Sequence, residues 1–423
     1  MVELRFNPGD YVQLKLAQFR ELEGTALESH DKSIVLLKLR SGYNIGIPKE
    51  NILGSKILKK FKDEKREYKL PSGKGKPKIG MIITGGTIAA KLDSKTGGVH
   101  WLTDTAEFAK FYPKLFEKVD VKKIEVPFMM ASENMSYNEW AKIAESVEKM
   151  LNDKDIKGVI ITHGTDTLHY TAAALSFFLR NLNKPVVLTY SQRSIDRASS
   201  DAELNLQCAV EMALSDCAEV VLVGHASMDD DHCHALIGTK TKKMHTSRRD
   251  AFKSVNIGPL AKVWKDNVEF LEERRPRNDE KVELDTNFSD KIALVKFYPG
   301  QDPDILDYYK DKGYKGIIIE ATGLGHVASS ESKNSWVIKI KKLIKEGVIV
   351  CAVAQTIYGR LNPKVYSLGR ELEETGVIFL EDMLAETAFV KLGWVLGHRT
   401  WKGKEKEKML ENFAREFNEL LKE

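Results

Sequence analysis

The sequence predicts an α/β protein: two successive units of parallel or mixed sheet with helices on both faces, preceded by a small N-terminal β-barrel. Three observations predict it. From Ile79 onward, short apolar runs alternate with stretches whose apolar residues recur at helical spacing. The charged stretch Asp266–Glu283 divides that alternation into two sets. Residues 1–55 instead carry short segments rich in Val, Leu, Ile and Tyr between turn residues, the pattern of a small antiparallel barrel.

In chain order, the barrel segments are Asp10–Leu16, Arg20–Glu28, Ser33–Leu39 and Tyr43–Ile47, punctuated by Gly9, Gly24, His30-Asp31 and Ser41-Gly42. Residues 56–78 are rich in lysine and read as a solvated basic linker. Their Gly-Lys repeats lack the spacing and the following Ser or Thr of a Walker A loop. A first α/β unit spans 79–283. Its predicted strands are Ile79–Thr84, Lys123–Val126, Gly158–Thr162, Pro185–Tyr190 and Val220–Gly224, and its helices Tyr137–Asn152, Thr167–Asn181 and Asp201–Ser215. Ser136 and Glu139 fit a capping box at the start of the first helix. A second unit spans 284–400, with strands Ile292–Phe297, Gly316–Ile319 and Val348–Val353 and helices near Ser332–Glu346 and Met383–Leu396. Residues 401–423 place Leu410, Phe413, Phe417, Leu420 and Leu421 along one face of a C-terminal helix.

Composition narrows the function. The 423 residues include 65 basic and 61 acidic side chains, a net charge of only +4, which argues against a surface that coats nucleic acid. No apolar run approaches the ~18–20 residues of a membrane span, and the N-terminus has no apolar signal-peptide core. Four cysteines without CxxC spacing point to a reducing, cytoplasmic setting.

In parallel α/β sheets, ligands bind beyond the carboxyl ends of strands. Two segments fall there: Thr84-Gly85-Gly86-Thr87 and Thr162-His163-Gly164-Thr165-Asp166-Thr167. The first lacks the third glycine of a dinucleotide-binding loop. A threonine hydroxyl needs a neighbouring base before it can attack. Asp166 is adjacent to Thr165, although its charge could equally hold a substrate cation. A lysine serves only when neutral, which desolvation favours and a carboxylate opposes. Lys240, Lys242 and Lys243 are the candidates. Asp229–His234 looks ligand-rich, but neighbouring strand residues face opposite ways, so it reads as a turn into a strand and no metal site is expected.

Together the two threonine segments resemble the signatures of the L-asparaginase/glutaminase family. Lys243-Met244-His245-Thr246-Ser247-Arg248-Arg249-Asp250-Ala251-Phe252 resembles its lysine segment, and the likeness continues through Gly323-Leu324-Gly325, Ala354-Gln355 and Thr387–Leu392. This resemblance implies an asparaginase-like fold over roughly 79–400. It implies Thr87 as nucleophile, and Thr165, Asp166 and Lys243 as a second, proton-relaying triad. Ser132, Glu133, Gly86 and Gly164 would bind the amino-acid substrate, Ser132 at its α-carboxylate and Glu133 with Asp166 at its α-ammonium.

A narrower resemblance follows from the N-terminal module, where Leu37–Ile47 looks like the extra domain of the archaeal glutamyl-tRNA(Gln) amidotransferase branch. Ser132–Met135 and Arg248-Arg249 look similar to that branch as well. The resemblance implies a glutamine amidohydrolase whose ammonia converts Glu-tRNA(Gln) to Gln-tRNA(Gln). It implies a partner, the E-type subunit of the amidotransferase, carrying ATP and Mg²⁺, and a homodimer of this chain within a heterotetramer. No cofactor is expected in this chain.

Two departures stand out. Thr96–Trp101 lacks the tyrosine that family enzymes often place on the loop after the first threonine. His326 stands where many relatives carry asparagine, in a segment expected to reach a neighbouring protomer. The alternatives are a free-standing asparaginase, which leaves the N-terminal module unexplained, and a non-catalytic tRNA-binding scaffold.

Overall fold

The computed structural model describes residues 4–17, 20–29, 31–41, 43–61, 73–92, 99–101, 108–109, 111–195, 197 and 199–419. The N-terminal domain is a five-stranded antiparallel sheet. Its spatial order is Asn44–Pro48, Ile34–Leu39, Glu21–Leu27, Tyr11–Leu16 and Ile52–Lys59. Alternate residues Val12, Leu14, Ala26, Val35 and Leu37 form its core. The last strand runs past the expected boundary at residue 55, with Ile57 opposite Val12. Lys56 and Lys59 project from this edge strand into solvent. Edge strands tolerate charge, so the lysines that read as linker belong partly to the sheet. Most of the expected linker, 62–72, lies outside the described residues.

The first α/β unit is built on eight strands in the order Val268–Phe270, Ala261–Val263, Cys233–Ile237, Val220–His225, Val186–Thr189, Ile156–Thr162, Lys78–Ile83 and Asp120–Glu125. The last five run parallel, and the others extend the sheet antiparallel. Successive residues of the central strands enter opposite cores: Val159 and Ile161 pack under Trp140 and Val147, whereas Ile160 packs with Phe108, Leu206 and Val210. Both faces are therefore dry, which is why these strands read as continuous apolar runs. Helix Tyr137–Leu151 begins at the expected capping box: Ser136 Oγ accepts from Asn138 N, and the Glu139 carboxylate accepts from Ser136 N.

The second unit is a four-stranded parallel sheet, Ile292–Lys296, Gly316–Ala321, Ile349–Ala354 and Ile378–Phe379. Helices Trp336–Lys345 and Ala385–Gly397 flank it. Ala385–Gly397 also packs on Leu168–Phe178, so the two units share one core.

The expected C-terminal helix over 401–423 is corrected. Among the described residues of that range only Glu405–Leu410 is α-helical, and 411–419 is irregular. The cause is Lys391, which is fully buried and donates to Met409 O, Glu411 O and Glu416 Oε1. A continuous helix would commit those two carbonyls to its own ladder and leave a buried ammonium short of acceptors. Leu420 and Leu421 lie outside the described residues.

Candidate active site

Strands Lys78–Ile83 and Ile156–Thr162 are parallel neighbours in register at Ile83 and Thr162, so their carboxyl ends lie side by side. Thr84 extends the pairing, its N–H and its Oγ1 both donating to Thr162 O, at 3.2 and 2.8 Å. The chain then turns through Gly85 and Gly86, at φ 123° and 80°, which glycine adopts without steric cost. A Cβ on Gly86 would stand 2.5 Å from Gly164 N. The two turns thus touch backbone to backbone, and only glycine permits it. Thr87 opens a single 3₁₀ turn, Thr87–Ala89, and is half-buried. Among the described residues its hydroxyl has no hydrogen-bond partner.

The second turn is fixed from two sides. His163, fully buried, has Nδ1 2.7 Å from Gly164 O and Nε2 2.9 Å from Thr171 Oγ1. Burial pushes its pKa down to about 4, so it is neutral. On the other side, Thr167 Oγ1 donates to Ser132 O at 2.7 Å, and Thr167 N donates to Ser132 Oγ at 3.3 Å. Ser132 is 2% exposed, with its Oγ 3.0 Å from where a Gly164 Cβ would be. Glu133, next in the 3₁₀ turn Ser132–Asn134, is exposed.

Lys243 reaches this corner from a distant stretch. Strands Thr241–Lys243 and Phe252–Ser254 form a short antiparallel ladder in which Lys243 faces Phe252. The sequence spacing of lysine to aromatic is therefore a hairpin register. Lys243 Nζ donates to Thr165 Oγ1 and to Asp166 Oδ1, each at 2.8 Å. The lysine side chain is 11% exposed and that of Asp166 62% exposed. The other two candidate lysines turn away. Lys240 is buried against Asp382, and Lys242 pairs with Glu386. Burial alone would raise the Glu386 carboxyl, yet the neighbouring Lys242 ammonium and His169 hold it below its ordinary value.

Thr165, Asp166 and Lys243 are thus joined directly, and Gly86, Gly164 and Ser132 line the junction with Thr87. Neither Thr87 N–H nor Thr165 N–H has an acceptor among the described residues. A hydroxyl nucleophile, a second hydroxyl bonded to an amine, and free N–H donors suit addition to a carboxamide and stabilisation of the resulting oxyanion. Sequence reasoning gave no part to His163, Thr167 or Thr171. Nothing in the sequence marks the His163–Thr171 pair, because their meeting depends on where the helix docks. The loop residues 93–98 lie outside the described residues. His326 is half-buried, with its ring 5.5 Å from that of Tyr366, remote in sequence from this corner. In Asp229–His234, Asp230 is tied to His225 and Arg249 and Asp231 to His232, while His234 is in a strand.

The chain resembles known proteins along nearly its whole length. The asparaginase N-terminal family model matches residues 78–276, the glutaminase/asparaginase C-terminal domain 291–410, and the GatD N-terminal domain 6–58. The chain is 48% identical to the D-type subunit of glutamyl-tRNA(Gln) amidotransferase from Pyrococcus abyssi, over 98% of this chain and 95% of that one. It is 41% identical to its counterpart in Methanococcus maripaludis, over 98% of each chain. Among solved structures, the thermostable L-asparaginase of Thermococcus kodakarensis superposes with TM-score 0.71 at 28% identity, covering 81% of this chain and 99% of that one. L-asparaginase I of Vibrio cholerae gives TM-score 0.68 at 25% identity, covering 81% of this chain and all of that one. With its N-terminal module, its two asparaginase units and its near full-length relatives, the chain belongs to the family of D-type subunits of glutamyl-tRNA(Gln) amidotransferase.

Proposed function

We propose that this chain is the glutaminase component of a tRNA-dependent amidotransferase. The observation that carries the reading is Lys243 Nζ within 2.8 Å of both Thr165 and Asp166, beside the turn that presents Thr87. Thr87 Oγ1 attacks the side-chain amide carbon of glutamine, and its proton passes into the Thr165–Lys243 relay. The N–H groups of the two turns receive the oxyanion. The relay returns that proton to the departing nitrogen, and collapse expels neutral ammonia and leaves a γ-glutamyl ester on Thr87. Water, oriented by Thr165, hydrolyses the ester to glutamate and restores the hydroxyl. Asp166 spends Oδ1 on Lys243 and leaves Oδ2 for the substrate α-ammonium, with Glu133 at the rim. The Ser132 hydroxyl proton is directed to the α-carboxylate.

The ammonia serves the E-type partner of the amidotransferase, where ATP and Mg²⁺ activate the glutamate of Glu-tRNA(Gln). The complex is cytoplasmic, with this chain as a homodimer inside a heterotetramer. Among the described residues no helix is long and apolar enough to cross a membrane. Thr87→Ala and Lys243→Ala should each abolish ammonia release without unfolding the chain, and near-normal glutaminase activity in either would overturn the assignment. Purification with candidate partners, followed by an ATP-dependent Gln-tRNA assay, tests the wider role. A free-standing asparaginase is the second reading, favoured by the solved neighbours. Fast turnover of asparagine by the chain alone would support it.

A further inference from the structure

His163 holds more than a place in the core. A carbonyl oxygen can only accept, so the 2.7 Å contact with Gly164 O puts the imidazole proton on Nδ1. Nε2 is then an acceptor, and the Thr171 hydroxyl, at 2.9 Å, donates to it. Thr171 is fully buried on helix Leu168–Phe178, so the ring has a fixed anchor and one tautomer. The Gly164–Thr165 peptide is trans, and across a trans peptide the C=O and the N–H point in opposite directions. The Gly164 carbonyl is drawn inward to the buried ring. The N–H of Thr165, the other end of the same peptide unit, therefore points away from the buried ring. That N–H has no acceptor among the described residues.

We infer that His163 is a positioning residue for amide hydrolysis: its Nδ1–H tautomer, anchored by Thr171, sets the plane of the Gly164–Thr165 peptide and so aims the Thr165 N–H at the oxygen of the scissile carboxamide. The inference rests on the glutaminase reading above. The ring touches no substrate and acts through the peptide it holds. Without it the turn is held only by the Ser132–Thr167 bonds and the Gly86 contact, the peptide plane is no longer set at the Gly164 carbonyl, and the donor is lost from the transition state more than from the ground state.

The test is steady-state glutaminase kinetics of the full-length chain, free and with its partner, on three variants. His163→Leu removes the donor. His163→Asn keeps an N–H near the Nδ1 position. His163→Gln carries its amide further out, toward Thr171, and leaves the Gly164 carbonyl without a donor. Loss of one oxyanion donor typically lowers kcat by about 10²–10³-fold, so kcat should fall by that order in the Leu and Gln variants with KM changed by less than ~3-fold. The Asn variant should recover to within ~10-fold of the parent. The comparison of Asn with Gln stands even if His163→Leu fails to fold, because both keep a polar group in the site. Equal kcat for Asn and Gln, or a change confined to KM or to thermal stability, would overturn the inference. A parent chain that releases no ammonia would overturn the glutaminase reading instead, and ¹⁵N NMR of the His163 ring still decides the tautomer: a proton on Nε2 sinks the inference independently of activity.

Discussion

Lys240 and Asp382 form a fully buried ion pair, with Nζ 2.7 Å from Oδ2 and 3.0 Å from the Asp382 carbonyl. The same carboxylate accepts from Asn418 N and Asn418 Nδ2. One pair therefore ties the first α/β unit, the second, and the irregular C-terminal segment together, three residues from Lys243. Removing one partner of a buried pair costs about 3–5 kcal/mol, because the other charge is left without compensation. Lys240→Met should lower unfolding stability by about that amount, measured by chemical denaturation. Lys240→Met with Asp382→Leu should recover much of the loss; a double variant no more stable than the single one would contradict this account.

Gly86 is the point of closest approach between the two turns. Gly86→Ala adds both a Cβ 2.5 Å from Gly164 N and a side chain at φ 80°. Such backbone strain costs roughly 1–3 kcal/mol. The variant should remain folded but lose glutaminase activity by at least about 100-fold, since the turns must part and carry Thr87 away from Thr165. Retained activity would mean that the contact is incidental.

Lys243 and Asp166 should separate kinetically. A positioned proton-transfer group typically contributes about 10²–10⁴-fold, so Lys243→Met should lower kcat by that order. Asp166→Asn keeps an acceptor for Lys243 but removes the charge offered to the substrate ammonium. Its KM should rise about 10-fold or more with a smaller change in kcat. The reverse pattern in either variant would exchange their roles.

Acid stability should depend on buried histidines. His163 and His169 are each pushed by burial from 6.5 down to about 4. Between those values the unfolded chain takes up protons that the folded chain refuses. The stability from keeping the rings neutral is intact above pH 6.5 and is lost as the pH falls toward 4, at most about 1.4 kcal/mol per pH unit for each ring. His169→Gln should flatten the dependence of unfolding free energy on pH across that window. An unchanged slope would show that His169 does not titrate there.

Much of this structure was legible in the sequence because the relevant signals are local. The parallel strands are buried on both faces and spell uninterrupted apolar runs, and the Ser136–Glu139 cap is a four-residue signature. Both threonine turns carry the glycines that their touching backbones require. What stayed hidden depends on contacts far apart in the chain. Lys56–Lys59 resembled a linker because an edge strand can face water with lysines. The segment 411–419 has helical spacing, but Lys391 claims the Glu411 carbonyl and the Glu416 carboxylate. Lys240, Lys242 and Lys243 were indistinguishable as residues; Asp382, Glu386 and Asp166, far away in sequence, decide which amine reaches the site. His163 and Thr171 stand only eight residues apart, yet whether they meet depends on how helix Leu168–Phe178 docks, which no local signature states.

The backbone contact of Gly86 with Gly164 also bears on engineering. Neither catalytic turn is a separable module, because each is the mould for the other. Grafting one loop from a relative onto this scaffold imports a mismatched surface, whereas exchanging both together preserves the fit. Libraries that seek new amide substrates are best diversified around Glu133, at the open rim, with the paired turns kept as a single inherited block.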